Sequence, residues 1–106
     1  MIARRRLPDR RQAETFNLEV AGLRYVASAG YFADGTLAEI FISSSKAGSD
    51  SDTAARDSAV VASIALQYGV PLEVLRHALM RDARDSASGP LGAALDLLAA
   101  DSGADR

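Results

Sequence analysis

Apolar residues repeat every second position from residue 13 to about residue 43, and near helical spacing thereafter. Phe16, Leu18 and Val20 alternate with Asn17 and Glu19, which predicts a strand. Ala21-Gly22 reads as a tight turn into a second strand. There Leu23, Tyr25, Ala27, Ala29 and Tyr31 share one face, and Arg24, Val26, Ser28, Gly30 and Phe32 the other. Asp34-Gly35 is a strong hairpin signal, because glycine accepts the positive φ such turns need. A third strand is expected from about Leu37 to Ser43, with Ala38, Ile40 and Ile42 opposite Leu37, Glu39 and Phe41. Three strands with short links predict an antiparallel meander.

The polar, glycine-bearing segment 43–52 ends in capping residues, so a helix is expected to start near Ser51 or Asp52 and run to Tyr68. Its polar stripe is narrow: Asp52, Arg56, Ser63 and Gln67. Val60, Val61, Ile64, Ala65, Leu66 and Tyr68 cover most of the rest. An apolar arc that wide predicts a central helix, covered by the sheet on one side and by other helices or a second subunit on another. Asp57, one turn before Val60 and Val61, is then expected to be partly buried and to need a partner. Gly69 suits the position after a helix end, and Pro71 the first turn of the next helix. That helix carries Leu72, Leu75, Ala78 and Leu79 on one face. Residues 82–89 read as a polar loop, and Pro90 opens a third helix with a stripe of Leu91, Ala94, Leu95 and Leu98. The order β-β-β-α-α-α, with the helices on one face of the sheet, defines an α+β fold. Residues 1–12 read as a flexible basic leader, 13–100 as one domain and 101–106 as a frayed tail.

Composition narrows the chemistry. The 106 residues suit one domain, and much of the 48% apolar content is alanine, which predicts a thin core. There is no cysteine, which removes disulfides, thiolate metal sites and cysteine nucleophiles. The single histidine, His77, argues against a histidine metal site or a Ser-His-Asp triad. No metal, cofactor or catalytic residue is expected. No apolar run is long enough to cross a membrane, and no apolar stretch follows the basic N-terminus, so the default location is the cytoplasm. Residues 1–11 hold five arginines against one aspartate, while the whole chain has a net charge of −2. A basic arm on an acidic body can touch nucleic acid or an acidic partner, or be merely solvated.

The segment with the best case for a ligand is Lys46-Ala47-Gly48-Ser49-Asp50-Ser51. A loop that leads into a helix N-terminus offers backbone N–H groups to an anion, and Lys46, Gly48 and Ser49 would form such a site. Lys46 is the only lysine. Asp50 and Asp52 oppose an anion, and the ordinary reading is helix capping by Ser49, Asp50 or Ser51. It is not a Walker A loop. Arg76, Arg81 and Arg84, interspersed with Asp82 and Asp85, read either as an anion or partner site or as solvated local ion pairs. Asp57 and Glu39 have no spacing that marks them as an acid/base pair.

Three stretches together resemble a known family. They are Leu37-Ala-Glu-Ile-Phe-Ile, Lys46-Ala-Gly-Ser, and the run Ala59-Val-Val-Ala-Ser-Ile-Ala-Leu-Gln-Tyr-Gly-Val-Pro-Leu-Glu-Val-Leu. Over roughly residues 13–98 the chain resembles the TSCPD domain. That domain is found at the C-terminus of adenosylcobalamin-dependent (class II) ribonucleotide reductases and as short stand-alone proteins. The segment from Leu79 to Asp96 is similar to the stand-alone subgroup. The name motif contains a cysteine that this chain lacks, and the reductase's own catalytic cysteines lie in parts of the enzyme absent here. No catalytic residue carries over. The resemblance implies a non-catalytic module that binds a nucleotide-like anion, or docks on a nucleotide-metabolism enzyme such as a ribonucleotide reductase large chain. An accessory subunit of a reductase is the alternative, and a small nucleic-acid-binding protein a second. The wide apolar arc of the long helix adds the expectation of a homodimer.

Overall fold

A computed structural model describes residues 3–103, with side chains described to Ala100. Its elements are β1 (Ala13–Val20), β2 (Leu23–Tyr31), β3 (Leu37–Ser44), α1 (Asp50–Gln67), α2 (Leu72–Ala78) and α3 (Pro90–Gly103). The strands form one antiparallel sheet in the order β1-β2-β3. This is the α+β meander followed by three helices that the pattern predicts. Met1, Ile2 and 104–106, the ends of the expected leader and tail, lie outside the described residues.

The links follow their turn chemistry. Ala21 and Gly22 both take positive φ (52° and 79°), the two-residue turn whose twist matches paired strands. At the second hairpin Gly35 has φ 86°, and Asp34 Oδ1 accepts from the Thr36 amide (3.0 Å) and hydroxyl (2.6 Å). The register shifts at Gly30/Tyr31, which marks a bulge near the end of the β2–β3 ladder.

One face of the sheet is buried. Leu18, Tyr25, Ala27, Ala29, Ile40 and Ile42 meet Ala55, Ala59 and Ala62 of α1 and Leu91, Ala94, Leu95 and Leu98 of α3. The expected α3 stripe is buried as a unit. Seven alanines take part in the wider core, so α1 and α3 approach the sheet closely, and Ile40 and Leu95 are the largest fully buried side chains. The opposite face of the sheet carries Thr15, Asn17, Glu19, Arg24, Val26 and Phe41, all exposed.

The α1 helix begins one or two residues earlier than expected, capped by Ser49, whose hydroxyl accepts from the Asp52 amide at 3.2 Å. Its orientation overturns most of the reading of its stripes, although Leu66 is buried and Arg56 exposed as that reading has them. Asp52, Ser63 and Gln67 are buried with Ala55, Ala59 and Ala62, whereas Val60, Val61, Ile64 and Tyr68 are exposed. Asp57 is exposed too; the buried carboxylate is Asp52. The physical reason lies in β3, an edge strand whose outward N–H and C=O groups need partners once α1 covers them. Polar side chains on the inner face of α1 supply partners for Ala38 O, for both backbone groups of Ile40 and for the Ser44 amide.

Residues 3–12 are tied to the body at several points. The Arg5 amide donates to Gln67 O (2.6 Å), and Arg4 Nε donates to Gln67 Oε1 (2.7 Å). The Arg5 guanidinium lies 3.8 Å over the Phe32 ring and pairs with Asp34 at 3.0 Å. Arg11 reaches Glu39 at 2.7 Å across the outer face, over Gly30.

Candidate functional site

The expected anion loop folds around an internal anion. Asp52 Oδ2 accepts the Gly48 amide at 2.9 Å, and Oδ1 accepts the Ser44 amide at 2.8 Å. Arg56 Nε donates to both oxygens, at 3.0 and 2.9 Å. The Gly48 and Ser44 amides, then Arg56, hold the Asp52 carboxyl below its ordinary range against the opposing effect of burial. Ser49 donates its hydroxyl to Lys46 O (2.7 Å) while capping α1. Lys46, Gly48 and Ser49 are therefore brought together, but the Gly48 amide already has a carboxylate. An external anion would have to compete with Asp52. Gly48 has φ 78°, which only glycine adopts without strain.

Further along α1 the same logic seals the β3 edge. Ser63 Oγ accepts from Ile40 N at 2.8 Å and donates to Ile40 O at 2.9 Å, so one hydroxyl answers both backbone groups of a strand residue. Gln67 Nε2 donates to Ala38 O at 3.1 Å, and its Oε1 holds Arg4. No buried side-chain nitrogen or oxygen lacks a partner among the described residues.

With its polar side turned inward, α1 presents an apolar face to the outside. Val61 is 67% exposed, Val60 47%, Tyr68 43% and Ile64 39%. The face continues past Arg56 onto the sheet at Phe41 (52%) and Val26 (40%), with a shallow groove between Val60 and Phe41. Sequence reasoning identified these helix residues as an apolar arc covered by the sheet and by other helices or a second subunit; within the chain they are left exposed. The small-residue stripe Ala55, Ala59 and Ala62 was the available signal for the true inner face.

Most of the remaining candidates are engaged in ion pairs. Asp96 on α3 holds Arg81 (2.6 Å) and Arg76 (2.9 Å), and Arg76 also pairs with Glu73 at 2.9 Å. This network ties α2 and the loop after it to α3; it keeps the Asp96 carboxyl low, mainly through Arg81. Arg84 donates its amide to Asp82, within the loop's own turn. His77 is exposed and lies 3.3 Å from Glu73. Glu39 pairs with Arg11, far along the chain from exposed Asp57. No group of three or more potential metal ligands occurs among the described residues. No described helix is long and apolar enough to cross a membrane. A cleft of about 760 Å³ lies beside Phe32, Leu37, Leu66 and Leu72, with Arg5 and Asp34 at its rim.

The fold and the site thus describe a small α+β domain with a helix-sealed sheet edge and an exposed apolar helix face. Its sequence is related to short segments of much longer proteins. The chain is 42% identical over 72 residues (68% of its length) to a vitamin B12-dependent ribonucleotide reductase of Rhodopirellula baltica. It is 41% identical over 70 residues to the protein of that name in Agrobacterium fabrum, and 38% over 73 residues to that in Bradyrhizobium diazoefficiens. The matches span 7%, 6% and 6% of those proteins. No protein-family model and no solved structure matches the chain.

Proposed function

We propose that this domain is a non-catalytic interaction module of the TSCPD type that docks on a vitamin B12-dependent ribonucleotide reductase chain. The observation that carries the reading is the similarity itself: about two-fifths identity over two-thirds of the chain, to proteins in which the matched segment is a small part. The docking surface is the outer face of α1, Val60, Val61, Ile64 and Tyr68, extended by Phe41. Exposed contiguous apolar side chains of this kind mark interaction sites. In this reading the domain acts as an accessory and contributes to turnover only in the complex. Nucleic acid has less support, since Arg5, Arg11, Arg76 and Arg81 are each engaged with a carboxylate.

Isothermal titration of the purified chain against the reductase chain of its native host tests this. Saturable binding is expected, weakened at least tenfold by Val61→Asp with an unchanged circular dichroism spectrum. Absence of binding, or a folded Val61→Asp that binds like wild type, refutes the reading. The isolated chain is expected to form no deoxynucleotide above a no-enzyme control.

A further inference from the structure

The two edges of the sheet are treated differently. On β3 the outward groups belong to even-numbered residues, because Ile40 bonds Ser63 and Ala38 bonds Gln67 on the side away from β2. Antiparallel ladders alternate, so odd residues of β3 bond even residues of β2, such as Phe41 with Ser28. Odd residues of β2 therefore face β1, in agreement with the Tyr31 amide donating to Gln12 O at 3.1 Å. Their β1 partners are even: Phe16 opposite Ala27, Leu18 opposite Tyr25. The outward backbone groups of β1 are those of Ala13, Thr15, Asn17 and Glu19. Among the described residues none of these four makes a backbone hydrogen bond to another element. The strand has no proline, lysine or bulge to discourage pairing.

We infer that the open edge of β1 pairs antiparallel with β1 of a second copy of this chain, forming a continuous six-stranded sheet across a two-fold axis. Two properties of the strand favour a second copy over an unrelated segment. First, pairing with itself closes the sheet: the order becomes β3-β2-β1-β1-β2-β3, and each outer edge is a β3 already covered by α1, with Ala38, Ile40 and Ser44 bonded by Gln67, Ser63 and Asp52. A foreign strand would create another open edge. Second, the charges allow it. Outward residues must face outward residues, and the register that sets Thr15 opposite Asn17 runs the axis between the two Phe16 side chains. It places Glu19 opposite Ala13 and Glu14 opposite Leu18, so no two carboxylates face each other. Phe16 is half-buried in one copy and would gain cover from its twin. A dimer is also what the apolar arc of α1 suggests from sequence. The β1 edge supplies a defined geometry for it and leaves α1 free, so it stands or falls apart from the docking proposal.

Light scattering from micromolar to near-millimolar concentration is the first test, and twice the chain mass is expected. Asn17→Pro removes an outward N–H and no bond within the sheet, so a folded monomer is expected. Should that variant fail to fold, the double variant Thr15→Lys with Asn17→Lys, which keeps every backbone group, is expected to be monomeric. The chain has no cysteine, so Phe16→Cys gives a clean cross-link. Cα atoms of such a facing, non-hydrogen-bonded pair lie about 4.5 Å apart, within disulfide reach. Oxidation should link Phe16→Cys and leave Val61→Cys unlinked. A monomeric wild type overturns the inference. So does a folded edge variant that stays dimeric, or a Phe16→Cys that links no faster than Val61→Cys.

Discussion

Replacing Ser63 by alanine tests the orientation of α1 directly. The side chain is 6% exposed and Ile40 is fully buried. Its hydroxyl is the partner of both Ile40 N and Ile40 O. Removing it leaves two buried backbone groups unsatisfied, at a combined cost of about 2–6 kcal/mol. Alanine's better helix propensity offsets about 0.5 kcal/mol of that. The net loss is about 1.5–5.5 kcal/mol, which lowers the melting temperature of a domain this size by at least roughly 6 °C. Val61→Ser is the paired control: at 67% exposure it should change stability by less than about 0.5 kcal/mol. Both are measured by urea unfolding followed by circular dichroism. A helix with Ser63 in solvent and Val61 in the core would give the reverse order. A Ser63→Ala variant as stable as wild type, or a Val61→Ser variant less stable than Ser63→Ala, refutes the reasoning.

Acid should weaken the fold through its held carboxylates. Asp34, held by the Thr36 hydroxyl and amide and by Arg5, is lowered to about 2, and Asp52 and Asp96 are also lowered. A depressed carboxylate stabilises the fold above its unfolded value, and that contribution fades as pH falls through the folded value. Melting temperature should therefore drop between about pH 4 and pH 2, and Asp34→Asn should show a shallower drop; identical acid limbs would count against these contacts. Phosphate at low ionic strength is expected to shift the Gly48 and Ser49 amides only weakly in wild type, more strongly in Asp52→Asn and less in Lys46→Ala. Unmoved amides in all three would remove the anion site. Gly30→Ala puts a Cβ 2.5 Å from Glu39 Oε2, so the Glu39 side chain must swing away from Arg11. Stability should change by less than about 1 kcal/mol, while the Arg11 Nε–H signal moves toward its solvated position; an unmoved signal would contradict the geometry.

The strands were legible because period two is a strong signal when one face is buried: Tyr25, Ala27 and Ala29 point inward as their alternation says. So were the turns at Gly22, Gly35 and Gly69, each with positive φ. The stripe of α3 was equally plain. The face of α1 was not, because polar side chains that satisfy a strand edge look, in sequence, like side chains that face water. Ser63 and Gln67 carry no mark of their partners, Ile40 and Ala38, which lie 23 and 29 residues away. The links of the basic segment to Gln67, Phe32 and Asp34 were hidden for the same reason. At the loop, the opposition of Asp52 to an anion was visible, but its position on the Gly48 amide depends on the turn's three-dimensional path.

A helix that seals a strand edge works like a vernier. Two strand residues advance about 6.8 Å and four helix residues about 6 Å, so the scales slip by about 0.8 Å at each step. Gln67 with Ala38 and Ser63 with Ile40 are one step apart and stay matched. Two steps on, at Ser44, the slip since the first match reaches about 2.4 Å. The partner there is Asp52 rather than the residue in phase, Ala55. Edge protection of this kind has a natural length, close to that of β3 itself. Two residues added to β3 would outrun the reach of α1 and leave strand groups there without a helix partner, a second open edge beside that of β1.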